Sequence, residues 1–331
     1  GFCAAIAAAR EGAKVVLIEP TAHVGGVNTG GLSFSDSNQT VRSTLLGLFA
    51  EWHRRIAADY ATRGVKLPYD VAVKNNAVWT YEPHVAARVT DAMLKEAGVT
   101  VLTKQPLESL EKEGAQIVSL RTPAGEHHPK VFIDATYEGD LMAAARIPYT
   151  VGREPKSQFN ETLNGIVAAH SKSHQFEKDV SPYKIPGDKT SGLVPRIHDG
   201  DPGKDGDGDK RIQAYCYRMC LTNDPANRIP FARPDGYDPA QYELLKRYIA
   251  AGWKWGNIIA KFDPIPNHKT DTNNHGAFSF DNIGMNYDYP DATYERRREI
   301  LAEHQLYQRG LLYFLANDPG IPDEIRQRMN Q

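Results

Sequence analysis

The residues best suited to chemistry fall in four places. Gly1 opens a run with Ala5 at i+4 and Gly12 before the apolar segment Lys14 to Ile18, which ends in Glu19. The order is helix, tight turn, strand, acid, as in a βαβ unit that holds a dinucleotide. Small residues there let a helix pack close to a sheet, and an acid at the second strand's end accepts from ribose hydroxyls. Gly1 fits the last glycine of a G-x-G-x-x-G turn and Glu19 the ribose acid. Next come Gly25-Gly26 and Thr29-Gly30-Gly31, where main chain can approach a flat or anionic ligand without Cβ interference. The third place is Asp134-Ala135-Thr136-Tyr137-Glu138-Gly139-Asp140, which sets acids and amides at the carboxyl end of an expected strand, Val131 to Ile133. An Asp at a helix N-cap accounts for part of this pattern. The fourth is the later half of the chain, where Arg218 in a strand could pair with a carboxylate, and His275, among Asn273, Asn274 and Gly276, could move a proton. A half-buried ion pair and a surface histidine are the plainer readings of those two; Tyr217 and Tyr287 stand in reserve.

The elements that must position these groups can be read from periodicity. Residues 42 to 63 carry Leu45, Leu46, Phe49, Trp52 and Ile56 at helical spacing, and Glu82-Pro83 opens a helix to about Ala97 with Val85, Val89, Met93 and Leu94 inward. Gly98 ends that helix before the strand Val99 to Leu102. Short alternating strands between Leu107 and Arg121 and from His127 to Ile133, joined at Glu113-Gly114 and Pro123-Ala124-Gly125, predict antiparallel hairpins inserted into an α/β domain. Near Thr150 the short α/β rhythm gives way to Gly, Pro, Asp, Asn and Tyr. We therefore expect one domain over residues 1–150 and a second over 151–331, with a strand at Ile212 to Leu221 and helices at Pro239 to Ala251 and Tyr294 to Ala316. The last would turn Ile300, Leu301, Leu306, Leu311 and Leu315 inward.

Composition narrows the function. The 331 residues suffice for about two domains. Thirty-nine Lys and Arg against 41 Asp and Glu leave a net charge of −2, with no basic field for nucleic acid. No run of 18 apolar residues could cross a bilayer. Cys3, Cys216 and Cys220 are too few for a disulfide framework, and a strand would hold the last two about 13 Å apart at ~3.3 Å per residue. His170 and His174 could share a helix face but lack a third metal ligand, and Asp205, Asp207 and Asp209 begin a calcium-loop pattern that Lys210 and Cys216 break, so no metal site is expected. Gly1 in place of Met, and Asp323 to Gln331 reading as an interrupted helix, suggest a chain cut at both ends, so a leader would lie outside it and the compartment stays open.

Taken together, the half fingerprint, the hairpin insertion and Ile-Asp-Ala-Thr-x-x-Gly-Asp resemble FAD-dependent oxidoreductases of the glutathione-reductase-like superfamily, in particular the family related to fumarate reductase and succinate dehydrogenase flavoproteins. Val151-Gly152-Arg153-Glu154, Ala214 to Arg218 and His275 to Ser279 resemble stretches of its bacterial members, which extends the likeness over nearly the whole chain. The resemblance implies an α/β fold with a Rossmann-like FAD domain and a second, α+β substrate domain. It implies that Gly1 meets the FAD pyrophosphate, Glu19 the adenosine ribose, and Gly25, Gly26, Thr29, Gly30 and Gly31 the flavin side. Ala135, Thr136 and Asp140 would line the ribityl side, and Leu107 would touch the adenine through its main chain. Tyr137 stands where many relatives of the wider superfamily have Gly. The expected activity is hydride transfer between FAD and a small organic substrate, with a further electron acceptor. The alternatives are an NAD-dependent dehydrogenase, which the hairpin insertion and second acidic motif disfavour, and a carbohydrate-acting lyase or a flavin-binding protein without redox turnover.

Overall fold

The computed structural model describes residues 1–36, 44–67, 78–253 and 260–331, and the chain divides into two compact units. The first comprises Gly1–Tyr149, Arg218–Leu221 and Asp263–Asp271, the second Thr150–Tyr217, Thr222–Phe262 and Thr272–Gln331.

In the first unit, α1 (Phe2–Arg10) leads to β1 (Val16–Ile18), followed by a single short turn of helix, α2 (Val27–Gly30). Then come α3 (Gly47–Thr62) and α4 (Pro83–Glu96), and β2 (Thr100–Leu102), which pairs in parallel with β1 in the register Val16 to Thr100. Pro83 sits at the start of α4, where its missing N–H costs nothing, and Gly98 leaves it at φ 74°. The apolar faces of α1, α3 and α4 close on one core that includes Ile6, Trp52, Ile56, Tyr60, Trp79, Val85, Met93 and Leu94. Trp52 donates its indole N–H to Thr90 Oγ1 at 2.9 Å, so even the polar edge of this core is satisfied. The periodicity places α4's inward face correctly, but α3 begins at Gly47; Leu46, just before it, is 66% exposed, and Phe49 lies at the rim. Residues 42 and 43 of the expected helix lie outside the described residues.

The expected hairpins form a separate antiparallel sheet, β3 (Ser109–Glu113), β4 (Gln116–Thr122) and β5 (Gly125–His127), in that order. The strand expected at Val131 to Ile133 does not form among the described residues. No neighbour offers it a ladder, and Val131 and Ile133 are 73% and 62% exposed. The segment runs on as extended chain to α5 (Asp140–Ala144).

In the second unit, α6 (Lys156–Phe159) is brief, α7 (Glu243–Ala250) follows a 3-10 turn, and α8 (Tyr294–Asn317) and α9 (Asp323–Met329) pack together. Thr293 caps α8 by accepting from the Arg296 amide at 3.2 Å. Alongside Ile300, Leu311 and Leu315, α8 buries Arg297, His304, Tyr307 and Gln308, while Leu301 is exposed. Three further strands, β6 (Met219–Thr222), β7 (Ala260–Ile265) and β8 (Lys269–Asn274), form a sheet in the order β6-β8-β7. The expected strand from Ile212 is thus shortened to its last residues. His170 and His174 do not share a helix: His170 pairs with Asp205, and His174, at φ 58°, hydrogen-bonds through Nδ1 to the Gly276 carbonyl. The acidic loop is structural, since Asp209 grips Arg153 and Asp205 accepts from the Ala169 amide. No cluster of metal-binding side chains occurs among the described residues.

Candidate active site

Gly1 precedes α1, whose first amides have no partner within the helix and so present positive ends. A Cβ on Gly1 would lie 3.7 Å from the Ala135 Cβ and 3.9 Å from Leu17, so two segments remote in sequence meet there. Glu19 ends β1, with its amide on the Leu102 carbonyl and its own carbonyl receiving the Gln105 amide. Its Oε1 accepts from the amide and hydroxyl of Thr21 at 2.8 and 2.7 Å, which fixes the carboxylate in one orientation. Leu107 follows on the stretch that the Glu19–Gln105 bond draws alongside, half-buried.

The glycine run is tightly built. Gly25, at φ 108°, leaves room only for Thr29, since a Cβ would come within 2.4 Å of the Thr29 hydroxyl. That hydroxyl is buried and donates to the Val24 carbonyl at 2.6 Å, so Thr29 shapes the turn from within. Gly26, at φ 58°, faces Tyr137: a Cβ would sit 2.3 Å from the phenol oxygen, which accepts the Val27 amide at 2.9 Å. Gly30 has only the His23 ring nearby, at van der Waals distance.

Opposite Tyr137, Asp134 organises the second acidic motif. Its Oδ1 accepts from the Thr136 amide and hydroxyl, and its Oδ2 from the Met142 amide in the first turn of α5, all at 2.8–2.9 Å. The Thr136 hydroxyl in turn accepts the Asp140 amide at 2.8 Å. Asp134 therefore caps α5 from eight residues before Met142, and Asp140 is the first residue of the helix, not its N-cap, a place taken by Gly139.

Gly31 is where the glycine run meets Arg218. A Cβ at Gly31 would fall 2.6 Å from the Arg218 Cβ, so the close approach needs glycine. Arg218 Nη1 donates to Asp271 Oδ1 at 2.7 Å, while Asp271 Oδ2 accepts the amides of Ser33 and Phe34, each at 2.8 Å. The Asp271 side chain is fully buried and that of Arg218 16% exposed. One carboxylate thus fixes both the arginine and the loop beyond the glycines, with charge-assisted bonds on each oxygen. The Ser33 hydroxyl beside it is buried with no partner. Asp271 escapes sequence reasoning: it lies in the polar strand Lys-Thr-Asp-Thr-Asn-Asn, and its amide partners are 237 and 238 residues away.

A second buried carboxylate holds the same strand. Glu82 accepts from Lys269 at 2.5 Å, from Asn267 at 2.7 Å and from Tyr60 at 2.9 Å. Burial alone would push its carboxyl up, but the Lys269, Tyr60 and Asn267 bonds outweigh it and leave it below the ordinary carboxylate range. Burial raises the thiols of Cys3 and Cys220, and all three cysteines are free, so neither of those two is an activated nucleophile. His275 belongs to the second unit, half-buried just beyond β8, whereas Arg218 belongs to the first.

These features can be set beside known proteins. The model of a family described as FAD dependent oxidoreductase matches residues 1–328. The chain belongs to that family. Its cofactor is accordingly FAD, and it is an oxidoreductase with a mixed α/β fold. Comparison with curated proteins gives no match. Among solved structures, L-proline dehydrogenase from P. horikoshii is 15% identical, with a TM-score of 0.35 over 46% of this chain and 55% of that one. L-amino acid deaminase from Proteus vulgaris is 17% identical, with a TM-score of 0.28 over 39% of this chain and 43% of that one. The chain spans about half the length of these two solved proteins. The residues present suit a dinucleotide: glycines whose missing Cβ atoms permit close main-chain approach, an oriented acid at the end of β1 and open amides at the head of α1. No described helix is long and apolar enough to cross a membrane.

Proposed function

We propose that the chain is the FAD-binding and substrate-facing part of an enzyme that transfers a hydride between a small organic substrate and the flavin, with the electrons passing to or from a further acceptor. In this reading residues 1–150 are a glutathione-reductase-type FAD domain and residues 151–331 a substrate domain. Gly1 and the head of α1 hold the pyrophosphate, Glu19 the adenosine ribose, and the main chain at Leu107 the adenine. Gly25, Gly26, Thr29, Gly30 and Gly31 shape the flavin side, and Ala135, Thr136 and Asp140 the ribityl side. The observation that carries the reading is the contact of Arg218 with Gly31, because it sets a cation held by a buried carboxylate against the glycine run.

Bound FAD supplies the two-electron chemistry. Arg218 orients the substrate through a carboxylate or stabilises negative charge developing on it, and Asp271 holds the guanidinium so that little reorganisation is needed when the charge appears. His275 takes or gives the substrate proton at its imidazole, a role suited to a group that titrates near neutrality. The buried packing around Thr29 and Ser33 keeps water from the loop.

The test is the visible absorption spectrum of the purified full-length protein, before and after acid precipitation. Flavin bands released to the supernatant support bound, noncovalent FAD; bands kept in the pellet show a covalent link. Absence of flavin even after reconstitution overturns the proposal. With flavin present, anaerobic reduction by small organic acids and alcohols should be lost in Arg218→Met while the flavin stays bound.

A further inference from the structure

We propose that the second unit carries a separate pocket, centred on Arg196, for a small organic carboxylate with a flat body. This does not rest on the flavin reading. A cavity of about 330 Å³ is lined by Arg196, Tyr237, Asp238, Gln241, Tyr242 and Tyr307, all within that unit. The volume lies at the small end of ligand sites, enough for one ring with a substituent.

The walls are fixed before any ligand arrives. Tyr242 donates its hydroxyl to the Tyr307 carbonyl at 2.8 Å and Tyr307 donates to the Ser279 carbonyl at 2.7 Å, so both hydroxyls are spent on main chain. The Tyr237 and Tyr242 rings stack at 6.0 Å and those of Tyr242 and Tyr307 at 5.9 Å. Gly310 makes this possible, since a Cβ there would come within 2.2 Å of the Tyr242 hydroxyl. Asp238 is no free acid: its Oδ1 accepts the Ala240 amide and its Oδ2 the Gln241 side chain.

The polar group is a strained, underused cation. Arg196 has a left-handed backbone at φ 67°, unfavourable for a residue with a Cβ, and such strain gathers where a side chain must be aimed. Its guanidinium lies 4.5 Å above the Tyr307 ring. Nη1 donates to Asn282 Oδ1 at 2.5 Å, and the only acid near it is Glu303, part-exposed and 3.5 Å away. The Nε–H is buried with no acceptor, as is the Asn282 side-chain amide. Two unmatched donors beside an incompletely neutralised cation call for a group that only accepts and carries negative charge; the tyrosine faces call for a flat body.

The test is calorimetric titration of the FAD-loaded full chain with benzoate, and with benzamide as its neutral analogue. We expect benzoate to bind and benzamide to bind at least ~10-fold more weakly, in keeping with a charge-assisted bond of ~1.5–3 kcal/mol. Arg196→Gln should reduce benzoate affinity by ~10-fold or more, whereas Arg218→Gln should leave it unchanged. Leu306→Trp, which fills the cavity from α8 without touching the guanidinium's partners, should abolish it and decides the matter if the arginine variant does not fold. No benzoate binding, equal binding of benzamide, or loss that follows Arg218 and not Arg196 would overturn the assignment. The last result would place the carboxylate at the flavin-side arginine and leave the flavin reading intact.

Discussion

Replacing Asp271 with Asn isolates the node that ties Arg218 to the glycine run. The carboxylate is fully buried, accepts two amides at 2.8 Å and faces a guanidinium nitrogen at 2.7 Å. Asparagine keeps one carbonyl oxygen. If that oxygen serves Ser33 and Phe34, its NH₂ confronts Arg218; if it serves Arg218, the two amides lose their acceptor. Either way at least one charge-assisted interaction becomes a donor–donor conflict around a part-buried cation. Hydrogen bonds to charged groups contribute ~1.5–3 kcal/mol, and breaking a buried pair costs ~3–5 kcal/mol, so we expect a loss of about 3 kcal/mol. Urea unfolding followed by tryptophan fluorescence reads this, because Trp52 and Trp79 lie in the core of the same unit. At a slope of roughly 2–3 kcal/mol per molar urea, the midpoint should fall by about 1 M or more. A double-mutant cycle with Arg218→Met completes the argument: the arginine change should cost much less once Asp271 is Asn. A loss under about 1 kcal/mol, or two effects that add within ~0.5 kcal/mol, would refute the coupling.

Three further outcomes can be checked. Gly26→Ala sets a Cβ 2.3 Å from the Tyr137 oxygen at φ 58°, and should weaken FAD binding by ~10-fold or more in a flavin-fluorescence titration; adding Tyr137→Phe should recover part of the loss, and no recovery would show that the contact is not the cause. Glu19→Ala should lower FAD affinity by ~10–100-fold without moving the urea midpoint by more than ~1 kcal/mol, since its local bonds go only to Thr21. Glu82, held below its ordinary value of 4.5, gives stability that is present above that pH and is lost as pH falls through its lower folded value. Glu82→Gln should therefore lose stability at neutral pH and show a flatter acid limb in thermal melts, and an acid limb as steep as that of the unaltered chain would exclude Glu82 as its source.

The sequence makes α1, α4 and α8 legible because each carries an amphipathic stripe with a start or stop signal: Gly12 after α1, Pro83 at the head of α4, Thr293 before α8. The hairpin sheet is equally plain from its turns. The strand at Val131 to Ile133 misleads because apolar β-branched residues encode a preference, while a strand exists only where a neighbour supplies a ladder. At the site, the glycines and Glu19 are visible because their types are demanded by backbone geometry or by hydroxyl recognition. Asp271 and Glu82 are not, since a buried carboxylate looks like any surface acid until the chain brings its donors to it. Tyr137 illustrates the converse. As a departure from Gly it reads as a weakness, yet its hydroxyl receives the Val27 amide and fills the space that Gly26 leaves.

The first unit is assembled from three separate stretches, with Asp271 at the end of the last. A ribosome must therefore add about 120 residues after Tyr149 before the Ser33 and Phe34 amides find their acceptor, some 6–25 s at bacterial or eukaryotic elongation rates. Until then the loop beyond the glycines has its donors unmatched by that carboxylate, and the nascent first unit is incomplete at the place where the cofactor would enter. Binding of FAD is on this account a late event in biosynthesis, dependent on residues 263–271, and a ribosome-stalled chain ending before them should fail to retain flavin.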